Sequence, residues 1–308
     1  MKLKIASLFS GAGGLDLGFK KAGHEIVWAN DIDFDSTETY RKNIGDEIVH
    51  GSIADIDSKK IPNFDVLIGG FPCQGFSRAN IHRVEKDERN SLYVHVVRIL
   101  RDKKPKFFLL ENVKGIISLN NGADFNEIKL ALEESGYFVQ YRVINAADYG
   151  VPQSRMRVII VGLRNDLLGK YEYIYPDKTH DKNSEMNRKW VSIGNALKGI
   201  PEPTDAHNLK NHICSTYKVV HRDFTGHRKT DPEKPSPTIL ARGNGGGGVC
   251  AIPHPYSDRR LTVRESALVQ TFPKNFEFIG GLMSMYRQIG NAVPVKLGEA
   301  LAKGFRKI

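Results

Sequence analysis

Short apolar runs alternate with amphipathic stretches through the first half of the chain. Residues 5–9 (IASLF) predict a buried strand, and a glycine-rich turn separates them from a helical stretch over 15–22. Residues 25–29 predict a second strand, 36–43 a helix, and 64–68 (FDVLI) another strand. From 92 to 101, Leu92, Val96, Ile99 and Leu100 recur at helical spacing. Strand patterns at 106–110, 138–143 and 158–161 surround a helical pattern at 124–134. Strands separated by helices imply an α/β domain whose parallel sheet is covered on both faces.

The pattern changes after about residue 163. From there to about 273 the chain is rich in Pro, Gly, Asn, His and charge, and periodicity is poor. The run GNGGGG (243–248) is too flexible for the interior of an element. This predicts a second, irregular domain with long loops. Residues 295–305 predict one more helix, packed back on the first domain. No internal repeat is visible.

Composition narrows the class. The chain has 308 residues, 40% of them hydrophobic, which suits a folded domain with a sizeable core. Three cysteines (Cys73, Cys214, Cys250) make no disulfide framework, and none of their spacings suits a zinc site. A reduced, intracellular setting follows. The first residues lead straight into a strand with no apolar signal region, and no apolar run is long enough for a bilayer. The expectation is a soluble, cytoplasmic protein without metal or membrane. Net charge is +10. Residues 217–264 hold nine Lys/Arg against four Asp/Glu, with His221, His227 and His254. Such a surplus suits a phosphate-contacting surface; the plain alternative is a solvated, loop-rich face.

Several segments carry candidate chemistry. LFSGAGGLDLGF (8–19) follows a strand and opens a helix, as a nucleotide-type cofactor loop does. It is no dinucleotide fingerprint, because Asp16 stands where a third glycine should be, and no phosphate loop, because no Gly-Lys-Ser/Thr follows. A glycine turn without a phosphate trap suits S-adenosylmethionine, whose carboxylate can meet backbone amides at a helix N-terminus. Asp31, just past the second strand, can accept ribose hydroxyl protons. The alternative is a tight turn with close helix packing.

GGFPCQGFS (69–77) places Cys73 on a stiffened turn at a strand's C-terminal end, where α/β proteins bind ligands. A polar segment, 77–90, follows it like a lid. A nucleophilic thiol fits this placement; a buried small hydrophobe is the alternative. In LLENVKG (109–115), Glu111 follows apolar residues at the mouth of a strand, where a carboxyl with a raised pKa could donate a proton. A capping or salt-bridged glutamate is the plain reading. In YGVPQSRMRVII (149–160), Gln153, Arg155 and Arg157 alternate and would share one face of an extended strand. That face suits a planar polar substrate, or else solvent.

Together these segments resemble the cytosine-5 DNA methyltransferases of the bacterial restriction–modification type. FSGAGGLDLGF, GGFPCQGFS, ENVKG, QSRMRV, RESALVQTFP (264–273) and GNAVP (290–294) occur in the family's order over nearly the whole chain. Residues 165–263 match only in kind, as the variable target-recognition region, in which PTIL (237–240) resembles the recognition signature.

The resemblance implies a doubly wound, Rossmann-like methyltransferase domain (1–165 plus 285–308) and a smaller irregular target-recognition domain (166–284). It implies S-adenosylmethionine as cofactor, double-stranded DNA as substrate, and monomeric action in the cytoplasm at the nucleoid. A cognate restriction endonuclease would act separately. Cys73 would add to cytosine C6, Glu111 would hold and protonate N3, Arg157 would contact O2, and Arg155 would support Cys73. Phe9, Gly11, Gly13, Asp31, Ile32, Ile53, Leu92 and Asn291 would line the cofactor site. Gln74, Ser77, Gln153, Thr238 and Arg242 would contact DNA. The chain departs from the family at two positions: Asp31 stands where Glu is common, and Ser52 where an acid touches the adenine amine. Three alternatives compete. An RNA methyltransferase of the same family would have a much reduced recognition region. A silent DNA-binding homologue would need no thiol. An unrelated thiol hydrolase would leave the glycine turn and Asp31 unexplained.

Overall fold

A computed structural model of the chain describes residues 1–71, 92–184, 187–206, 208–215, 230–241 and 252–308. Along the chain run β1 (Lys4–Leu8), α1 (Gly14–Lys21), β2 (Glu25–Asp31), α2 (Phe34–Asn43), β3 (Ile48–His50) and β4 (Val66–Gly69). After them come α3 (Leu92–Lys103), β5 (Phe107–Val113), α4 (Ala123–Glu134), β6 (Tyr137–Asn145) and β7 (Met156–Arg164). The short elements β8 (Tyr171–Tyr173), β9 (His180–Asp181), β10 (Arg188–Lys189) and α5 (Ile193–Leu197) follow. The chain closes with α6 (Val263–Val269), α7 (Leu282–Asn291), α8 (Val295–Ala302) and β11 (Phe305–Lys307).

Seven strands form one sheet in the order β3-β2-β1-β4-β5-β7-β6. Its strands are apolar on both faces because both faces are covered. Ile5, Val66, Ile68, Phe107, Leu109, Ile159 and Val161 point to one core, shared with Leu15 and Phe19 of α1 and Leu297 and Leu301 of α8. Ala6, Leu8, Leu67, Phe108, Leu110, Val158 and Ile160 point to the other, shared with Val96, Ile99 and Leu100 of α3 and Ile128 of α4. The alternation is the two-residue period of a strand, read twice.

Three observations differ from the sequence reading. The sheet is not wholly parallel: β7 runs antiparallel to both β5 and β6. The last helix stops at Ala302, and Phe305–Lys307 pairs as a strand with β8. Gly304 allows this, since a Cβ there would lie 2.5 Å from the Ile174 carbonyl. Phe305 then enters the core, with its ring 5.0 Å from Phe107 and 4.9 Å from Tyr173. The third observation concerns residues 263–291, which form two helices. α6 opens with a reciprocal capping box between Thr262 and Glu265. Val263, Ala267, Val269, Phe272, Phe276 and Phe278 join the core of Ile5 and Phe19. The expected boundary at 284/285 falls within α7.

No helix among the described residues is long and apolar enough to cross a membrane. The described residues also hold no group of three or more His, Cys, Asp or Glu suited to a metal ion.

α1 and α8 touch backbone to backbone. A Cβ on Gly18 would lie 2.5 Å from the Glu299 amide nitrogen and 2.7 Å from the Val295 carbonyl oxygen. Neither can move without displacing a helix. Gly18→Ala is therefore expected to destabilise the protein by about 1–3 kcal/mol despite alanine's better helix propensity. Thermal unfolding followed by circular dichroism checks it, and an unchanged midpoint would contradict the close approach.

Candidate active site

The candidate site lies along the C-terminal edge of β1, β2, β4 and β5. After β1 the chain turns sharply, with Phe9, Gly11 and Gly13 all at positive φ (53°, 54° and 80°). Gly13 is needed for its φ and for room, because a Cβ would lie 2.1 Å from Ile44 Cδ1 and 2.8 Å from Tyr40 Cδ2. At Gly11 a Cβ would meet nothing within 4 Å, so this part of the turn faces open space.

Asp31 closes the turn. Its Oδ2 accepts from the Gly11 amide at 2.7 Å and its Oδ1 from the Asp33 amide at 2.8 Å. Each oxygen keeps a further acceptor position for a ligand hydroxyl. Burial raises the Asp31 carboxyl, and the two amides oppose that rise. Beside it the Ile32 side chain is 69% exposed, an apolar face beside a polar turn. Phe9 and Leu92 are half-buried and pack on the cluster that holds Ile53, itself 2% exposed. Asn291 is exposed at the end of α7. The open space, the ribose-ready carboxylate and the apolar flank fit the nucleoside end of a cofactor without phosphate. Ser52 caps the short turn Ile53–Asp55 through its hydroxyl, which accepts from the Ala54 amide.

Asp16 lies in the first turn of α1 and is fully buried. Its Oδ2 accepts from Ser7 Oγ and its Oδ1 from Tyr40 Oη, both at 3.0 Å. Burial pushes its carboxyl up to about 7 against these two bonds, and the nearby Glu47 adds to the rise.

The second half of the site joins β4, β5 and β7. β4 leads through Gly70 and Phe71 towards Cys73, which lies outside the described residues, as do Gln74, Ser77 and Arg242. The turn before Cys73 is nevertheless tied to β5. Asn112 Nδ2 donates to the Phe71 carbonyl at 3.1 Å, and a Cβ on Gly70 would stand 3.2 Å from Glu111 Oε2. Glu111 lies within β5, which continues to Val113 because it pairs with β7. Arg157 stands opposite Val113, two positions from Glu111 and on the same face. Its Nε is 2.7 Å from Glu111 Oε1, and each side chain is 10% exposed. The N–H is not aligned for a hydrogen bond, and Oε1 has no hydrogen-bond donor among the described residues. This corner presents a carboxylate and a guanidinium side by side, with acceptor capacity to spare.

Gln153 and Arg155 do not share a substrate-facing row with Arg157. Gln153 is fully buried; its Oε1 accepts from the Ile239 amide at 3.0 Å and its Nε2 donates to Gln270 Oε1 at 2.9 Å. Arg155 is 2% exposed and donates to the carbonyls of Ile239 and Gly290. Burial first, then the Arg157 charge, pull its pKa down to about 9, so it stays protonated at neutral pH. Thr238 Oγ donates to the Ser154 carbonyl at 2.8 Å. Cys214 is half-buried, and burial pushes its thiol up, which makes it a poor nucleophile. Sequence reasoning did not single out Asn112, Gly70 or Gln270. Asn112 sits inside the ENVKG segment, but its target two residues before Cys73 becomes visible only when β4 and β5 are paired.

A family model for C-5 cytosine-specific DNA methylases matches residues 3–307. The chain is 40% identical to the type II methyltransferase M.NgoFVII of Neisseria gonorrhoeae, over all of this chain and 87% of that protein. It is 37% identical to the type II methyltransferase M.FnuDI of Fusobacterium nucleatum, covering 99% and 94%. Among solved structures it resembles the S. pombe Dnmt2 methyltransferase, with a TM-score of 0.73, 20% identity and 97% of each chain covered. That last likeness concerns the fold alone.

Asp16 makes a pH prediction. Its ordinary value is 3.8 and its folded value about 7, so folding holds a proton that the unfolded chain releases. The stability it contributes is fully present below about pH 4 and is lost as pH rises towards about 7. Asp16→Asn removes this titration. Urea unfolding from pH 4 to 7 is expected to show a flatter stability profile in the variant, and parallel profiles would contradict the buried carboxyl.

Proposed function

The chain belongs to the C-5 cytosine-specific DNA methylase family and is a DNA cytosine-5 methyltransferase, and from that premise we propose that it methylates a cytosine flipped out of a short, specific duplex sequence, through a covalent Cys73 adduct. A base inside a helix cannot reach a turn at a sheet edge, and enzymes acting on such a base extrude it. The observation that carries the reading is the Glu111–Arg157 pair, with Glu111 against Gly70 in the segment that leads to Cys73.

Each residue has a task set by cytosine's chemistry. C5 is too weak a nucleophile until the Cys73 thiolate adds to C6, which makes C5 enamine-like. Glu111 protonates N3 and disperses the charge that develops. Arg157 binds O2 and stabilises the negative charge that develops there. We propose that Arg155 also supports the segment that carries Cys73. Phe9, Gly11, Gly13, Asp31, Ile32, Ile53, Leu92 and Asn291 would hold S-adenosylmethionine, which would supply an electrophilic methyl group on sulfonium. After transfer, a solvent base takes the C5 proton, N3 gives its proton back to Glu111, the C6–S bond breaks with its electron pair on sulfur, and the thiolate returns. Gln74, Ser77, Gln153, Thr238, Arg242 and the basic stretch 217–264 contact or shape the DNA-binding face. The relatives named as type II methyltransferases support a protective role against a separate endonuclease. We propose that the protein acts as a monomer.

The test is methyl transfer from labelled cofactor into duplex genomic DNA, with 5-methylcytosine mapped by sequencing. Transfer into one short motif is expected. Cys73→Ser is expected to abolish it, and Glu111→Gln to lower kcat by about 10²–10⁴-fold with DNA binding retained. Transfer to RNA alone would move the substrate. DNA binding without any transfer would leave a silent homologue.

A further inference from the structure

Arg155 is a buried cation with no ion pair to a carboxylate among the described residues. Glu111, whose charge acts on it, is paired with Arg157. Burying a guanidinium is costly, and an apolar side chain of similar length would fill the same space without that cost. Its donors must therefore be wanted where they are. Nη1 donates to the Ile239 carbonyl at 3.0 Å and Nη2 to the Gly290 carbonyl at 3.1 Å. These acceptors lie on separate parts of the chain. Ile239 belongs to PTIL, which runs into the glycine-rich stretch at 243–248. Gly290 is in the last turn of α7, next to Asn291.

The two segments that carry these acceptors also meet. A Cβ on Gly290 would lie 2.4 Å from the Ala241 amide nitrogen and 2.5 Å from the Leu240 carbonyl carbon. The backbone of 240–241 thus rests directly on the end of α7. Around this contact most polar groups are met, although Arg155 Nε has no hydrogen-bond partner among the described residues. Gln153 holds the Ile239 amide, and Gln270 donates to the carbonyls of Ile289 and Ala292 at 2.7 and 3.2 Å. Arg155 supplies positive charge and a donor at a helix C-terminus, where both are favoured. A helix cap alone would need only one of its two bonds. The second bond fixes the distance between α7 and the 239–241 segment.

We propose that Arg155 is a positioning residue that locks the DNA-reading segment at 239–241 to the cofactor-side end of α7, so that DNA binding and cofactor binding strengthen each other. This rests on the reading of Asn291 as a cofactor residue and of 237–242 as part of the DNA face. A ligand that orders one side of the junction orders the other, because one rigid guanidinium fork spans both.

The experiment is calorimetric binding of S-adenosylhomocysteine to the full chain, alone and with a saturating short duplex. The duplex carries the motif that the wild-type protein methylates. In the wild type the duplex is expected to tighten S-adenosylhomocysteine binding about fivefold or more. In Arg155→Met that ratio is expected to fall close to one, while binding without DNA changes far less. Arg155→Lys keeps the charge but replaces the fork with a single donor head, and is expected to lose most of the ratio as well. A merely structural arginine would lower thermal stability and leave the ratio intact. That result in any folded variant overturns the proposal, as does a wild-type ratio of one, which needs no variant. A wild type that methylates no DNA would instead fail the functional reading beneath it.

Discussion

Because β7 runs antiparallel to β5, its first residues lie against the last residues of β5. Arg157 therefore stands opposite Val113, and its guanidinium reaches Glu111 at 2.7 Å. Had β7 run parallel, its start would lie beside the start of β5. Arg157 would then sit about 10 Å or more along the strand from Glu111. The reversal also carries the segment just before β7, with Gln153 and Arg155, to the sheet edge where β1, β2 and β4 end. Carboxylate, guanidinium, glycine turn and the approach to Cys73 thus come to one edge through one strand direction.

The edge is held by bonds to backbone as much as by packing. Asn112 fixes the Phe71 carbonyl, Asp31 fixes two amides, and Gln153, Arg155 and Gln270 close the junction of 239 with 289–292. Each is a polar side chain in a largely buried setting, where an unmet donor or acceptor costs about 1–3 kcal/mol. Such networks tolerate few alternative arrangements, and this rigidity lets a site keep its geometry before substrate arrives. Asp16 belongs to the same class, since its carboxyl is fixed from both sides by Ser7 and Tyr40 beneath the glycine turn.

Much of this was legible along the chain, because strand and helix periods are local. The runs at 5–9, 25–29 and 64–68 became β1, β2 and β4 with their alternating faces intact. The glycine turn follows β1 and Asp31 ends β2, as chain order suggested, whereas Glu111 lies within β5, two residues short of its end. Strand direction was not legible, because it depends on partners far away in sequence. The same non-local cause hid β11, which forms only because Tyr171–Tyr173 offers it an edge. α6 did leave a local signal, the Thr262–Glu265 box, which the surrounding loop-rich composition masked. Gln153 and Arg155 were read as sharing a face with Arg157, but they precede β7, and their targets lie at Ile239, Gln270 and Gly290, more than 80 residues away.

The central claim is that this edge delivers Cys73 to C6 of a cytosine. A duplex carrying 5-fluorocytosine at the target position tests it most directly. Fluorine at C5 leaves no proton to remove after methyl transfer, so the C6–S bond cannot break and the adduct persists. The account predicts a stable protein–DNA species after incubation with S-adenosylmethionine, with the added mass mapped by peptide mass spectrometry to the segment containing Cys73. Methylation of ordinary duplex without any trapped species, or an adduct at Cys214 or Cys250, would contradict it.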